Sequence, residues 1–249
     1  MENALAQLVL KTVKTLHMLI NNKNILSVFL ITTSLISCKQ KSTKNLPVQD
    51  PKATEVVASK VEKLPYFNTP DFTPMWLSDD NELKEYHKIP NFSLTNQLGN
   101  QVTNKTLKGS IYVASFFFTT CPNICVQLTH NIHTLQKAYA SDPEVKLVSH
   151  TVLPTIDTVE VLKAFGERQN IDPQQWYLLT VEKDKIYELV REAYFADDLY
   201  KKTNDKDRFV HTENIILIDK NSHIRGVYNG TLPKEMKRVQ RHIEILKNE

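Results

Sequence analysis

Two cysteines, Cys121 and Cys125, stand with three residues between them in the string TTCPNICVQLTH. The thiolate form of cysteine is both nucleophile and metal ligand. A close pair therefore supports three kinds of chemistry: cycling between dithiol and disulfide, a permanent disulfide, or a grip on a soft metal ion. A permanent bridge across so small a loop removes little chain entropy, which argues against a purely structural staple. Two intervening residues are the usual redox spacing, and a third fits that role less specifically. A thiolate metal site needs further ligands, and imidazole is the natural candidate. Of the eight histidines, His130 and His133 follow the motif on a helix, where a solvated side chain is the ordinary reading. His211 differs. It opens HTENIILID directly after the charged stretch KKTNDKDRF, so a loop arriving at a sheet edge would present its imidazole to the cysteines. His87, His150, His223 and His242 read as surface or core.

The elements that must hold these groups follow from the apolar patterning. IYVASFFF, residues 111–118, is a continuous apolar run of strand type, as expected for a buried central strand. The cysteine segment follows at once. Pro122 suits a first helical turn, which would put Cys121 at or just before the N-cap and Cys125 one turn later on the same face. The electropositive helix start favours thiolate. Val126, Leu128, Ile132, Leu135 and Tyr139 then recur at helical spacing.

Upstream, Phe92 and Leu94 alternate with polar residues and Gly99-Asn100 offers a hairpin turn. Downstream come a strand in VKLVSHTVL and a helix capped by Asp157 with Glu160 three residues on. A short strand WYLLT and a helix over residues 183–195 follow. Two strands surround a turn at Lys220-Asn221-Ser222, and Pro233 opens a closing helix. LPYFNTPDFTPMWL, with its prolines and aromatics, reads as ordered but irregular. This order predicts an α/β fold, a mixed central sheet with helices on both faces. The cysteines fall where a central strand gives way to a helix, the position at which open α/β sheets place their sites.

The start of the chain reads as a targeting segment. Lys23 supplies a positive region, and the apolar run Ile25–Ile36 is shorter than the ~20 residues of a membrane-spanning helix. It ends in Leu35-Ile36-Ser37-Cys38, which resembles the bacterial lipobox, so residues 1–37 are read as a signal peptide and Cys38 as lipidated. Met18 makes a better-proportioned start than Met1. Residues 38–63 form a flexible tether from the membrane, and residues 64–249 form the packed domain. With Cys38 carrying lipid, the other two of the three cysteines share an oxidising compartment. The formal net charge of +3 argues against a nucleic-acid partner. Phosphate-loop, dinucleotide and HExxH motifs are absent from the sequence.

ASFFFTTCPNIC, followed by VLPTIDTVEVLKAF and VHTENIILIDKNSHIRGVYNG, resembles the Sco/SenC family of thioredoxin-like proteins, over roughly residues 89–246. The resemblance implies a thioredoxin-like fold with the hairpin inserted before its first core strand. It implies attachment to a membrane facing the periplasm or its equivalent, and copper, as Cu(I) or Cu(II), bound by Cys121, Cys125 and His211. It implies a role in assembling the copper centre of cytochrome c oxidase subunit II, or serving another copper or thiol client, by metal delivery, thiol reduction or both. Two thiolates and one imidazole suit Cu(I), whereas Cu(II) would want a further ligand and zinc normally a fourth. The chain departs from the family pattern at Val126, where proline is common, and at Leu153 and Val210, where acids are common. Two competing readings are a thiol–disulfide oxidoreductase using Cys121 and Cys125 as its redox pair, and a redox or copper sensor acting through a partner.

Overall fold

The computed structural model describes residues 63–77, 81–203, 205 and 212–249. The signal segment, Cys38, the tether up to residue 62 and His211 lie outside these residues. Two short strands, β1 (Tyr66–Phe67) and β2 (Pro74–Met75), pair antiparallel within the stretch expected to be irregular. A hairpin follows, β3 (Ser93–Asn96) and β4 (Gln101–Thr103), turning at Gly99 with φ +81°, a left-handed value that glycine adopts without steric cost. The core is β5 (Ile111–Phe117), α1 (Ile124–Ala138), β6 (Val145–Thr151), α2 (Val159–Arg168), β7 (Trp176–Thr180) and α3 (Lys183–Glu188). The helix expected over 183–195 instead passes from α3 into a π-turn at Leu189–Ala193. Then come α4 (Asp198–Thr203), β8 (Asn214–Ile218), β9 (Ile224–Asn229) and α5 (Pro233–Lys247).

Seven strands form one sheet in the order β4-β3-β7-β6-β5-β8-β9. β5, β6 and β7 are parallel, and every other pairing is antiparallel. Every residue of β5 is buried, because α/β layering covers both faces of a central strand. Ile111, Val113 and Phe117 point into one core, with Leu128, Ile132 and Leu135 of α1, Leu162 and Phe165 of α2, and Val239 and Ile243 of α5. Tyr112, Ala114 and Phe116 point into the other, with Ile186, Val190 and Tyr194. Each such fully buried aliphatic or aromatic side chain contributes about 1.5–3 kcal/mol. The mixed sheet with helices on both faces and the hairpin ahead of β5 are thus as expected, and the fold is thioredoxin-like.

The β8–β9 turn is held by Asp219, whose carboxylate accepts the backbone N–H of Asn221 and of His223, each at 2.9 Å. Arg225, 3% exposed, ties this turn to the segment before β1 and to the residues after α5. Its guanidinium meets Asp219 at 3.1 Å and Glu249 at 2.7 Å, donates to the carbonyls of Leu64 and Pro65, and lies 3.9 Å from the Tyr66 ring centroid.

Candidate metal and thiol site

The site grows from the C-terminal end of β5. The Cys121 N–H turns back to the Phe118 carbonyl at 3.3 Å, so the chain reverses before the helix begins. α1 starts at Ile124 with Asn123 in the cap position. This corrects the expectation for Pro122: it precedes the helix, and Cys121 stands two residues ahead of the cap. The reverse turn uses up the residues that would otherwise have formed a first helical turn. Cys125 falls in that first turn and is buried, as is Cys121. Both are free thiols. Buried Asn131 further along α1 donates to the Gly230 carbonyl at 2.9 Å. A Cβ at Gly230 would collide with Leu128 and Ile215, so the missing side chain is what lets the loop after β9 approach α1.

The two thiols are unlike. Burial alone would raise Cys121, but hydrogen bonds from the Cys125 thiol and from the backbone at Cys125, Asn123 and Ile124 outweigh it, and its pKa falls below the ordinary thiol value. Burial, then the hydrogen bond with Cys121, pushes Cys125 up to about 12, and the charges of Cys121 and Asp157 add to this. The Cys125 thiol and the backbone N–H groups at the helix start thus favour thiolate at Cys121, while burial holds Cys125 protonated.

Asp157, read from sequence as a helix cap, is fully buried instead. Its carboxylate accepts the Thr119 N–H at 3.2 and 3.3 Å and the hydroxyls of Thr119 and Thr151 at 2.5 Å each. It joins the end of β6 to the loop that leads into Cys121. Thr158 caps α2, its hydroxyl oxygen accepting from the Val161 N–H at 3.4 Å, and it donates to Glu160 at 2.8 Å. Aspartate and threonine both cap well, so their adjacency hid which of the two turned inward.

His211 lies outside the described residues. The described chain resumes at Thr212, which is buried and accepts the Asn214 N–H at 3.1 Å as β8 begins. β8 runs antiparallel to β5, with Ala114 opposite Ile216 and Tyr112 opposite Ile218. The start of β8 therefore lies toward the end of β5 from which the cysteine segment leaves. The other histidines among the described residues have partners or solvent. His130 is exposed, and His133 packs edge-on against Trp176, 5.2 Å between centroids. His87 Nε2 is 2.7 Å from the Ala193 carbonyl, His223 Nδ1 is 3.0 Å from the His87 carbonyl, and His242 Nδ1 is 2.8 Å from the Tyr228 hydroxyl. His150 is wholly buried beside Phe116 and Tyr194. Among the described residues, no three His, Cys, Asp or Glu side chains converge as a metal site.

A groove of about 240 Å³ opens beside the pair, lined by both cysteines and by Phe118, Val126, Phe165 and Arg168 among others. The pattern that defines the SCO1/SenC family matches residues 80–245, which span the sheet and all five helices. The chain belongs to the SCO1/SenC family. A SCO1/SenC family lipoprotein from Bacillus anthracis is 29% identical, with a TM-score of 0.57 over 65% of this chain and 95% of that one. BsSco is 25% identical, with a TM-score of 0.55 over 65% of this chain and 92% of that one. It is described as carrying a disulfide switch and as a member of the Sco family of cytochrome c oxidase assembly proteins. Arabidopsis thaliana ScoI, solved with copper bound, shares the fold at 20% identity, with a TM-score of 0.50 over 64% of this chain and 98% of that one.

Proposed function

We propose that this SCO1/SenC protein is a membrane-anchored, extracytoplasmic copper-binding protein that assists assembly of the copper centre of cytochrome c oxidase. Cys121, Cys125 and His211 hold the copper, and Cys38 carries the lipid that anchors the chain. The client is subunit II of the oxidase or another protein that accepts copper or electrons. The observation that carries this reading is the pair of free, buried thiols brought together at the electropositive start of α1. Such a pair supplies two soft donors from one backbone turn, and an imidazole completes a three-donor set suited to Cu(I). Three donors leave room for an incoming client cysteine, so copper passes by exchange of ligands. Copper on the thiolates also excludes their disulfide, which couples metal loading to redox state.

The unequal thiols favour a second activity at the same place. A thiolate at Cys121 beside a protonated Cys125 is the arrangement of an attacking and a resolving thiol, so thiol–disulfide exchange with a client accompanies copper handling. Anaerobic Cu(I) titration of the reduced full chain, beside His211→Ala, separates the two. The proposal expects one tightly held copper per chain, weakened at least about tenfold in the variant, while exchange with a disulfide substrate persists. No tight copper in the parent, with rapid disulfide reduction by both proteins, would leave an oxidoreductase alone.

A further inference from the structure

The groove beside the cysteines has features that thiol and copper chemistry do not use. Val126, one residue past Cys125, is 60% exposed although apolar, and Phe165 of α2, mostly buried, also lines the groove. Arg168, at the last turn of α2, stands over the Phe165 ring with its guanidinium carbon 6.0 Å from the centroid. Among the described residues, no carboxylate lies within ion-pair distance of Arg168. α1 carries neither aspartate nor glutamate, so the positive end of its dipole has no acidic side chain on that helix. The nearby carboxylate, Asp157, is buried and turned to its two threonines. The rim of the groove thus carries an exposed guanidinium that meets only the Phe165 ring and the C-terminal end of α2, with no carboxylate partner among the described residues, next to an apolar strip and two thiols. At about 240 Å³ the groove is smaller than the roughly 300–1,000 Å³ of small-molecule sites. It has room for side chains of an extended segment.

We infer that this groove docks a cysteine-bearing segment of the client protein, with an apolar side chain against Val126 and Phe165 and an acidic side chain at Arg168. The inference rests on the reading of the cysteine pair as the place where the client is met, and it names the chemistry of that client. The apolar contact supplies the seat. The ion pair selects segments that carry a carboxylate close to the cysteine, and it brings the client sulfur to Cys121 rather than to solvent.

The test uses the full chain with Cys38→Ser, reduced and metal-free, so that Cys121 and Cys125 are its only thiols. The probes are three short peptides with one cysteine and one leucine each, identical except for Glu, Gln or Lys beside the cysteine. Each peptide is a mixed disulfide with thionitrobenzoate. The Cys121 thiolate attacks the peptide sulfur. A new protein–peptide disulfide forms as the old bond breaks, and the coloured thionitrobenzoate anion leaves with the electron pair. Rates are normalised to those of dithiothreitol with the same peptides, which removes differences in peptide reactivity. The expected result is a two- to five-fold preference for Glu over Gln, the size of one exposed ion pair. In about 1 M salt, where screening acts within about 3 Å, the preference falls toward one. Arg168→Gln abolishes it, and Arg168→Glu turns it toward the Lys peptide. Equal normalised rates for Glu and Gln with the parent chain would overturn the inference. So would a Glu preference that survives in Arg168→Gln. Because no copper is present, either failure leaves the copper titration standing, and failure of that titration leaves this ratio standing.

Discussion

Replacing Asp157 with alanine removes the carboxylate that ties the loop ahead of Cys121 to the end of β6. The Thr119 N–H and the hydroxyls of Thr119 and Thr151 lose their acceptor together. A hydroxyl can rotate to another partner, but the backbone N–H cannot. Counting the N–H and one hydroxyl as unsatisfied, at about 1–3 kcal/mol each, gives about 2–6 kcal/mol. Deleting a fully buried carboxylate also relieves the cost of keeping that charge from water, which offsets part of the loss. The net expectation is about 2–3 kcal/mol, out of the roughly 5–15 kcal/mol that holds a domain together. With a urea slope of about 1–3 kcal/mol per molar, the midpoint of unfolding drops by about 0.7–3 M, with the slope itself unchanged. Amide exchange at Thr119 should rise in the same variant. Asp157→Asn, which keeps the shape and part of the accepting capacity, should lose less. A loss below about 0.5 kcal/mol in Asp157→Ala, with Thr119 still protected from exchange, would refute the idea that this carboxylate fixes the loop.

Three further outcomes follow from the same geometry. In the reduced, metal-free chain, iodoacetamide should modify Cys121 first, at a rate that rises with pH and levels off below the ordinary thiol pKa; Cys125, held up near 12, should react slowly throughout. Peptide mapping of the alkylated sites checks this, and equal labelling at neutral pH would contradict it. Arg225→Met leaves the carboxylates of Asp219 and Glu249 and the carbonyls of Leu64 and Pro65 without their shared donor. It should cost about 3–5 kcal/mol in urea unfolding. Burial depresses the pKa of His150 to about 3, against about 6.5 when unfolded. The unfolded state therefore takes up a proton that the folded state refuses, and stability present above pH 6.5 is lost as pH falls toward 3, by up to about 1.4 kcal/mol per pH unit. His150→Phe should flatten that slope in the acid arm of a pH-stability curve.

Much of the fold could be read from local pattern. The apolar run at residues 111–118 became β5 because its length and β-rich composition suit a strand buried on both faces. The turn at Lys220-Asn221-Ser222 formed where Asp219 folds back on the following N–H groups, and Ser222 accepts φ +69° there. What pattern could not supply was the direction of single side chains and the pairing of distant strands. Asp157 and Thr158 are both capable caps, and only the sheet decides which one turns inward. Pro122 suits a helix start, but the reverse turn from Phe118 takes that position first. β3 sits against β7 through Thr95–Thr180 and Asn96–Leu179, a contact that no local window contains. Arg168 gave no signal in the sequence, because its place beside the thiols depends on α2 packing against the end of β5. The two cysteines were legible as a pair from their spacing, whereas their unequal character came from the deeper burial of Cys125 and from the hydrogen bonds that the folded turn gives Cys121.

The central claim is that copper is held by Cys121, Cys125 and His211, and absorption spectroscopy at the copper edge tests it most directly. The reduced chain is loaded with one equivalent of Cu(I) and compared with its His211→Ala variant. The account predicts two sulfur neighbours and one imidazole in the parent, with the imidazole scattering lost in the variant. Two sulfur atoms alone in both proteins, or a shell without sulfur, would contradict it.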